Sequence, residues 1–169
     1  MALKISLLLI NEPLEQFSGQ FMHLLYGKKL DIRGKQSLSH MLNPNRICFG
    51  SYKNASILTH EAIFNDFFNE EPSALFTDVI KTFDKNKILA IGYYENAGIT
   101  CISFVEKGEL RRLAVYGEEE GMMTDIGQNS EFEENVDPSE LPEIYAKQFF
   151  DIDINSDSFL NTKMLVYDS

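Results

Sequence analysis

The 169-residue chain contains no tryptophan and only two cysteines, and it has no apolar run near the ~20 residues that a membrane-spanning helix requires. Cys48 and Cys101 each sit inside an apolar stretch, as buried structural thiols do, and no Cys-x-x-Cys spacing asks for a metal or a disulfide. Cations are also scarce. Fifteen Lys and Arg face 26 Asp and Glu, a net charge of −11. That balance disfavours nucleic-acid binding and basic membrane-surface helices, which depend on clustered cations, most firmly in the C-terminal half. A phosphate-binding glycine loop is missing too, because Ile10 is followed by Asn-Glu-Pro-Leu-Glu, which puts carboxylates where an anion would sit. No Gly-x-Ser-x-Gly elbow is present, and His23, His40 and His60 have no zinc-site spacing. The sequence therefore assigns no catalytic residue, no metal ligand and no cofactor.

One partial motif remains. Asp151, Asp153, Asn155 and Asp157 place oxygen ligands at alternate positions as a calcium loop does, but Ser156 and Thr162 stand where that loop needs its glycine and its bidentate glutamate. A solvated acidic segment is the expectation.

What is present describes a soluble α+β protein. Hydrophobic residues make up 44% of a chain long enough to bury about 70% of its unfolded surface, so one domain over residues 1–169 is expected. The apolar run Leu3 to Ile10 is too short for a secretory signal and is cut off by Asn11-Glu12-Pro13, which suits a central buried strand in a cytoplasmic protein. Leu14, Phe17, Phe21, Leu24 and Leu25 recur at helical spacing from about Pro13 to Tyr26. Residues 28 to 46 show little periodicity and read as an irregular connection with a helical turn near Leu38 to Leu42. Two short strands follow around a Lys53-Asn54 turn. A helix capped by Thr59 carries Ile63, Phe64, Phe67 and Phe68, and another opened by Pro72-Ser73 carries Leu75 to Phe83.

Lys87 to Tyr94, Ile99 to Val105 and Leu110 to Tyr116 are strand-length runs joined by Gly-containing turns, hence a central antiparallel meander. Met122 to Ile126 adds a fourth short strand, Pro142 opens a helix, and Met164 to Tyr167 closes the chain as a strand. Such turns are too short for parallel crossovers, which predicts a mostly antiparallel sheet with helices packed on one face.

The strongest signal is where the charge sits. Residues 118–157 hold thirteen acids against the single cation Lys147, whereas residues 28–53 hold six cations against Asp31 alone. An acidic surface of this kind accelerates encounter with a basic partner. Glu118, Glu119, Glu120, Glu131, Glu133 and Glu134 are the candidate partner-binding residues, and the basic segment either packs against the acidic one or holds a small anion.

Ile47-Cys48-Phe49-Gly50, the stretch Gly98 to Leu113 around Lys107-Gly108, and Met123-Thr124-Asp125-Ile126-Gly127 together resemble a family of uncharacterised bacterial proteins over residues 47–127. The resemblance implies no activity and transfers no site residue. The functional expectation is a non-enzymatic module that engages a basic protein, as a toxin-neutralising or regulatory partner would. The alternatives are a small enzyme or ligand-binding domain whose site is assembled only in the fold, and a homo-oligomer.

Overall fold

The computed structural model describes residues 4–14, 18–40 and 46–168. Strands β1 (Lys4–Ile10), β2 (Ile32–Ser37), β3 (Ile47–Tyr52), β4 (Ala55–Thr59), β5 (Lys87–Tyr94), β6 (Ile99–Glu106), β7 (Glu109–Gly117), β8 (Gly121–Gly127) and β9 (Lys163–Tyr167) share one sheet. Their order is β2-β9-β3-β4-β1-β5-β6-β7-β8, so β1 is the middle strand of nine. Every pairing is antiparallel. Helices α1 (Ser18–Tyr26), α2 (Glu61–Phe67), α3 (Ala74–Thr82), α4 (Leu141–Phe150) and α5 (Asp157–Leu160) are the α-helices among the described residues, joined by short 3₁₀ turns. The fold is α+β.

Helices cover both faces of the sheet, which corrects the expectation of one. Along β1, Leu8 and Ile10 enter a core with Met22 of α1, Phe67 of α2 and Val79 of α3. Leu7 and Leu9 enter a second core with Leu141, Tyr145 and Ala146 of α4 and Phe159 of α5. The physical reason is parity. Successive side chains of a strand point to opposite faces, so the unbroken apolar runs in β1, β5 and β6 need cover on both sides.

The consecutive strands β5 to β8 form a meander that ends the sheet instead of occupying its centre. Lys107 and Gly108 turn the β6–β7 hairpin with φ of 54° and 72°, the left-handed pair that matches the twist of adjoining strands. Strand β2 falls in the stretch expected to be irregular; it is held at one edge of the sheet by β9. The helical turn expected from Leu38 is a 3₁₀ turn at Leu38–His40, and Met41 and Leu42 lie outside the described residues. The helix expected from Pro13 is described from Ser18. Phe17 and the side chains of Phe21, Leu24 and Leu25 lie outside the described set, and Met22 supplies the buried contact. Thr59 belongs to β4, and His60 caps α2 by accepting from the Ala62 amide at 3.4 Å.

Candidate functional site

Gly117 and Gly121 bracket the turn that projects Glu118, Glu119 and Glu120 from the end of the β7–β8 hairpin, and Gly121 takes the left-handed φ of 77° that a tight turn demands. The Glu118 amide donates to the Gly98 carbonyl at 3.0 Å, which ties this turn to the connection between β5 and β6. Between the two turns lies a cleft of about 340 Å³ lined by Glu95, Gly98, the three glutamates and Met123. Among the described residues no cation pairs with Glu118, Glu119 or Glu120.

The cleft opens beside an unprotected strand. Among the described residues β8 pairs only with β7 and ends the sheet. Met122, Met123 and Ile126 on it are among the few large apolar side chains that remain exposed. An edge strand of this kind presents a row of unpaired amides and carbonyls, and this one carries neither Lys nor Pro to deter pairing.

The six candidate glutamates do not form one patch. Six steps of about 3.4 Å along β8 separate the Glu118–Glu120 turn from the segment holding Glu131 and Glu134 by roughly 20 Å. Glu131 and Glu134 are exposed there on and beside a 3₁₀ turn at Glu131–Glu133. Glu133 is engaged inside the protein. Its carboxylate accepts from Arg112 Nε at 3.2 and 3.3 Å, from the Tyr145 hydroxyl at 2.5 Å and from the Ser130 amide at 3.2 Å.

Arg112 is the group that the sequence reading missed. Its side chain is 2% exposed, against 5% for Glu133 and 49% for Asp125, and Nη1 reaches Asp125 together with the Leu113 and Ile126 carbonyls. The signal was available in Arg111-Arg112: adjacent strand residues face opposite ways, so one of two arginines had to turn inward. Burial alone would ease the proton off Arg112, but the carboxylates of Asp125 and Glu133 outweigh it and hold the charge more firmly than usual. Burial raises the Tyr145 hydroxyl pKa, and its bond to Glu133 raises it further. Phe104, Phe132 and Phe149 pack around the Tyr145 ring at centroid distances of 5.3 to 5.5 Å. The network pins the 128–140 segment and α4 to β7 and β8.

The remaining candidates are accounted for locally. Asp151 ends α4 in the left-handed conformation and pairs with Lys147 at 2.8 Å and Lys53 at 3.0 Å, which pull its carboxyl down to about 2. Asp153 accepts from the Asn155 amide, and Asn155 donates to Glu143 at 2.6 Å. No group of metal-ligating side chains occurs among the described residues. Cys48 and Cys101 form no disulfide and are buried in opposite cores, with burial pushing the Cys101 thiol up to about 12.

Other clefts open elsewhere on the described surface, two of them flanking the sheet. One of about 390 Å³ lies on the α4 side of the sheet, between Ile5, Ile91 and Tyr93 and the cover of Pro142, Phe159 and Leu160. The other, of about 620 Å³, opens between α1 and the β2 edge.

No helix among the described residues is long and apolar enough to cross a membrane. No curated protein and no solved structure matches the chain. Residues 12–147 match the model of a family of unknown function, DUF6928, which encloses the 47–127 stretch that carried the resemblance, and the chain belongs to that family.

Proposed function

We propose that the chain is a non-enzymatic binding module that accepts an extended, basic segment of a partner protein along β8. The observation that carries this reading is the carboxylate-lined cleft between Glu95 and Glu118–Glu120, which shares Met123 with the edge strand β8. The partner's backbone extends the sheet through main-chain hydrogen bonds, its apolar side chains rest on Met122, Met123 and Ile126, and a Lys or Arg side chain enters the cleft. Each new hydrogen bond contributes about 0.5–1.5 kcal/mol net, so a four- or five-residue strand needs the charge term for useful affinity. Glu131 and Glu134, at the far end of β8, would meet a second cation on a longer segment. Glu133 leaves the set of contact residues because it already holds Arg112 and Tyr145.

The test is selection of peptides from a random display library at low salt, followed by measurement of the winners by titration. Enriched peptides should alternate apolar and basic residues. They should lose affinity for the Glu118→Gln/Glu119→Gln/Glu120→Gln variant and in raised salt, and fail to bind once N-methylated at alternate residues. Winners without basic excess, or N-methylated peptides that bind unchanged, would overturn the reading. Sedimentation of the free protein separates this mode from pairing of β8 between copies.

A further inference from the structure

We infer a separate binding site for a small amine with an apolar body and a hydroxyl at its far end, in the cleft of about 390 Å³ on the α4 side of the sheet. The site goes beyond the β8 proposal and shares no lining residue with the cleft at Glu118–Glu120.

Strand register lays its floor. Ile5, Tyr93 and Thr100 are cross-strand neighbours on β1, β5 and β6, and Leu7 and Ile91 form the next row on the same face. Two interstrand steps of about 4.8 Å by two residue steps of about 3.4 Å make a floor of roughly 10 by 7 Å, the footprint of one ring with a short tail. Pro142 at the start of α4 covers it together with Ile154 and Leu160, and the volume falls in the range of ~300–1,000 Å³ that small-molecule sites occupy.

The inner end holds an unanswered polar group. Thr100 is 6% exposed, and its hydroxyl has no hydrogen-bond partner among the described residues. Ser103, on the same strand, has an unpaired hydroxyl closed off from any surface, whereas that of Thr100 keeps surface on the cleft. The half-buried Tyr93 beside it has no partner for its phenol among the described residues either. Two neighbouring hydroxyls in an apolar chamber, each able to donate and to accept, are satisfied together by a ligand group that does both, as a hydroxyl does.

The mouth sets the sign. Glu143 is exposed there, with one carboxylate oxygen accepting from Asn155 at 2.6 Å and the other without a partner among the described residues. Among the described residues no Lys, Arg or His lines the cleft. The one cation of α4, Lys147, sits a turn further on and is drawn to Asp151 at 2.8 Å, while Asp153 adds negative charge to the same side. An ammonium group is therefore favoured at this mouth and a carboxylate is repelled.

The probes are tyramine, phenethylamine and 4-hydroxyphenylacetate, titrated into isotopically labelled protein and followed by amide shifts. Tyramine should shift Ile91, Thr100 and Leu160, phenethylamine should bind the same place more weakly, and the carboxylate should bind most weakly of the three. Thr100→Val should weaken tyramine about fivefold while leaving phenethylamine unchanged, the size of one hydrogen bond. Glu143→Gln should weaken both amines about two- to fivefold, the size of an exposed ion pair. The Glu118→Gln/Glu119→Gln/Glu120→Gln variant should bind tyramine as the unsubstituted protein does, which keeps this site distinct from the β8 cleft. Shifts centred on Gly98 and Met123, a carboxylate that binds as well as tyramine, an equal loss of both amines in Thr100→Val, or no shifts at all would overturn the inference. Glu143 is exposed, so its variant remains informative even where Thr100→Val disturbs the core.

Discussion

Replacing Glu133 with alanine should be among the most damaging changes that can be made to this chain outside its apolar cores. The substitution leaves the guanidinium of Arg112, 2% exposed, without the partner that its Nε addresses, and leaves the Tyr145 hydroxyl without its acceptor. Breaking a buried ion pair from one side typically costs about 3–5 kcal/mol. Here Asp125 and the Leu113 and Ile126 carbonyls still serve Nη1, which places the expected loss near the lower end, about 3 kcal/mol. For a chain of this length that is a drop in Tm of about 6–12 °C. Urea unfolding followed by far-UV circular dichroism measures it directly. Because the pair is shielded from solvent, the loss should be nearly the same at low and high salt. The double variant Arg112→Met/Glu133→Leu removes both charges and should regain most of the lost stability, since two apolar groups of similar size leave no buried charge uncompensated. A loss below about 1 kcal/mol for Glu133→Ala, or a double variant as unstable as the sum of the two singles, would refute the assignment of this network as a buried, mutually dependent unit.

Two other outcomes follow from the same coordinates. Gly92 in β5 lies under α2, where an added Cβ would come within 2.7 Å of Phe68 and 3.1 Å of Phe64, so Gly92→Ala should cost about 1–3 kcal/mol by overpacking, read from the unfolding midpoint. The Asp151 carboxyl is depressed to about 2 by hydrogen bonds from Lys147 and Lys53, so its contribution is present above its unfolded value near 3.8 and fades as pH falls toward 2. Asp151→Asn, which tolerates the same left-handed cap, should therefore lower stability near neutrality, converge on the unsubstituted protein toward pH 2, and so flatten the profile between pH 4 and 2; an unaltered acid limb would count against the paired aspartate.

Local pattern carried the reading of this sequence as far as local pattern can. The hairpins from β5 to β8 were legible because their turns hold residues able to take left-handed conformations between runs of β-formers, and Lys107-Gly108 adopts that geometry. Helices α2 and α3 were legible from the spacing of Phe64, Phe67, Phe76 and Val79. Strand β2 was not, because Ile-Arg-Gly-Lys-Gln-Ser has no buried face to impose alternation, and its extended form is imposed by β9, more than a hundred residues later. The two-sided core is written in the unbroken apolar runs of β1, β5 and β6, whereas the number of helices does not say which face each one covers. Glu133 looked like surface charge because sequence shows the sign of a carboxylate and not its partner; only the fold brings Arg112, twenty-one positions away, against it.

Charge separation along the sequence becomes separation in space, because the sheet carries the basic segment to one edge and the acidic turn to the other. Among the described residues, the one ion pair joining the two segments is Lys53 with Asp151. Opposite charges on two free edges invite copies to pair head to tail, β8 of one on β2 of the next, and such contacts do not close. The fold resists that outcome on the β2 side. A register shift between Ile32 and Gly34 distorts the edge, Arg33 is drawn onto Asp168, and Lys35 stands exposed on the strand. Charges and bulges of this sort are how proteins guard an edge against pairing. β8 has a register shift against β7 but no cation and no proline on its open side. The asymmetry leaves one guarded edge and one receptive edge, which favours a separate basic strand at β8 over a chain of identical subunits.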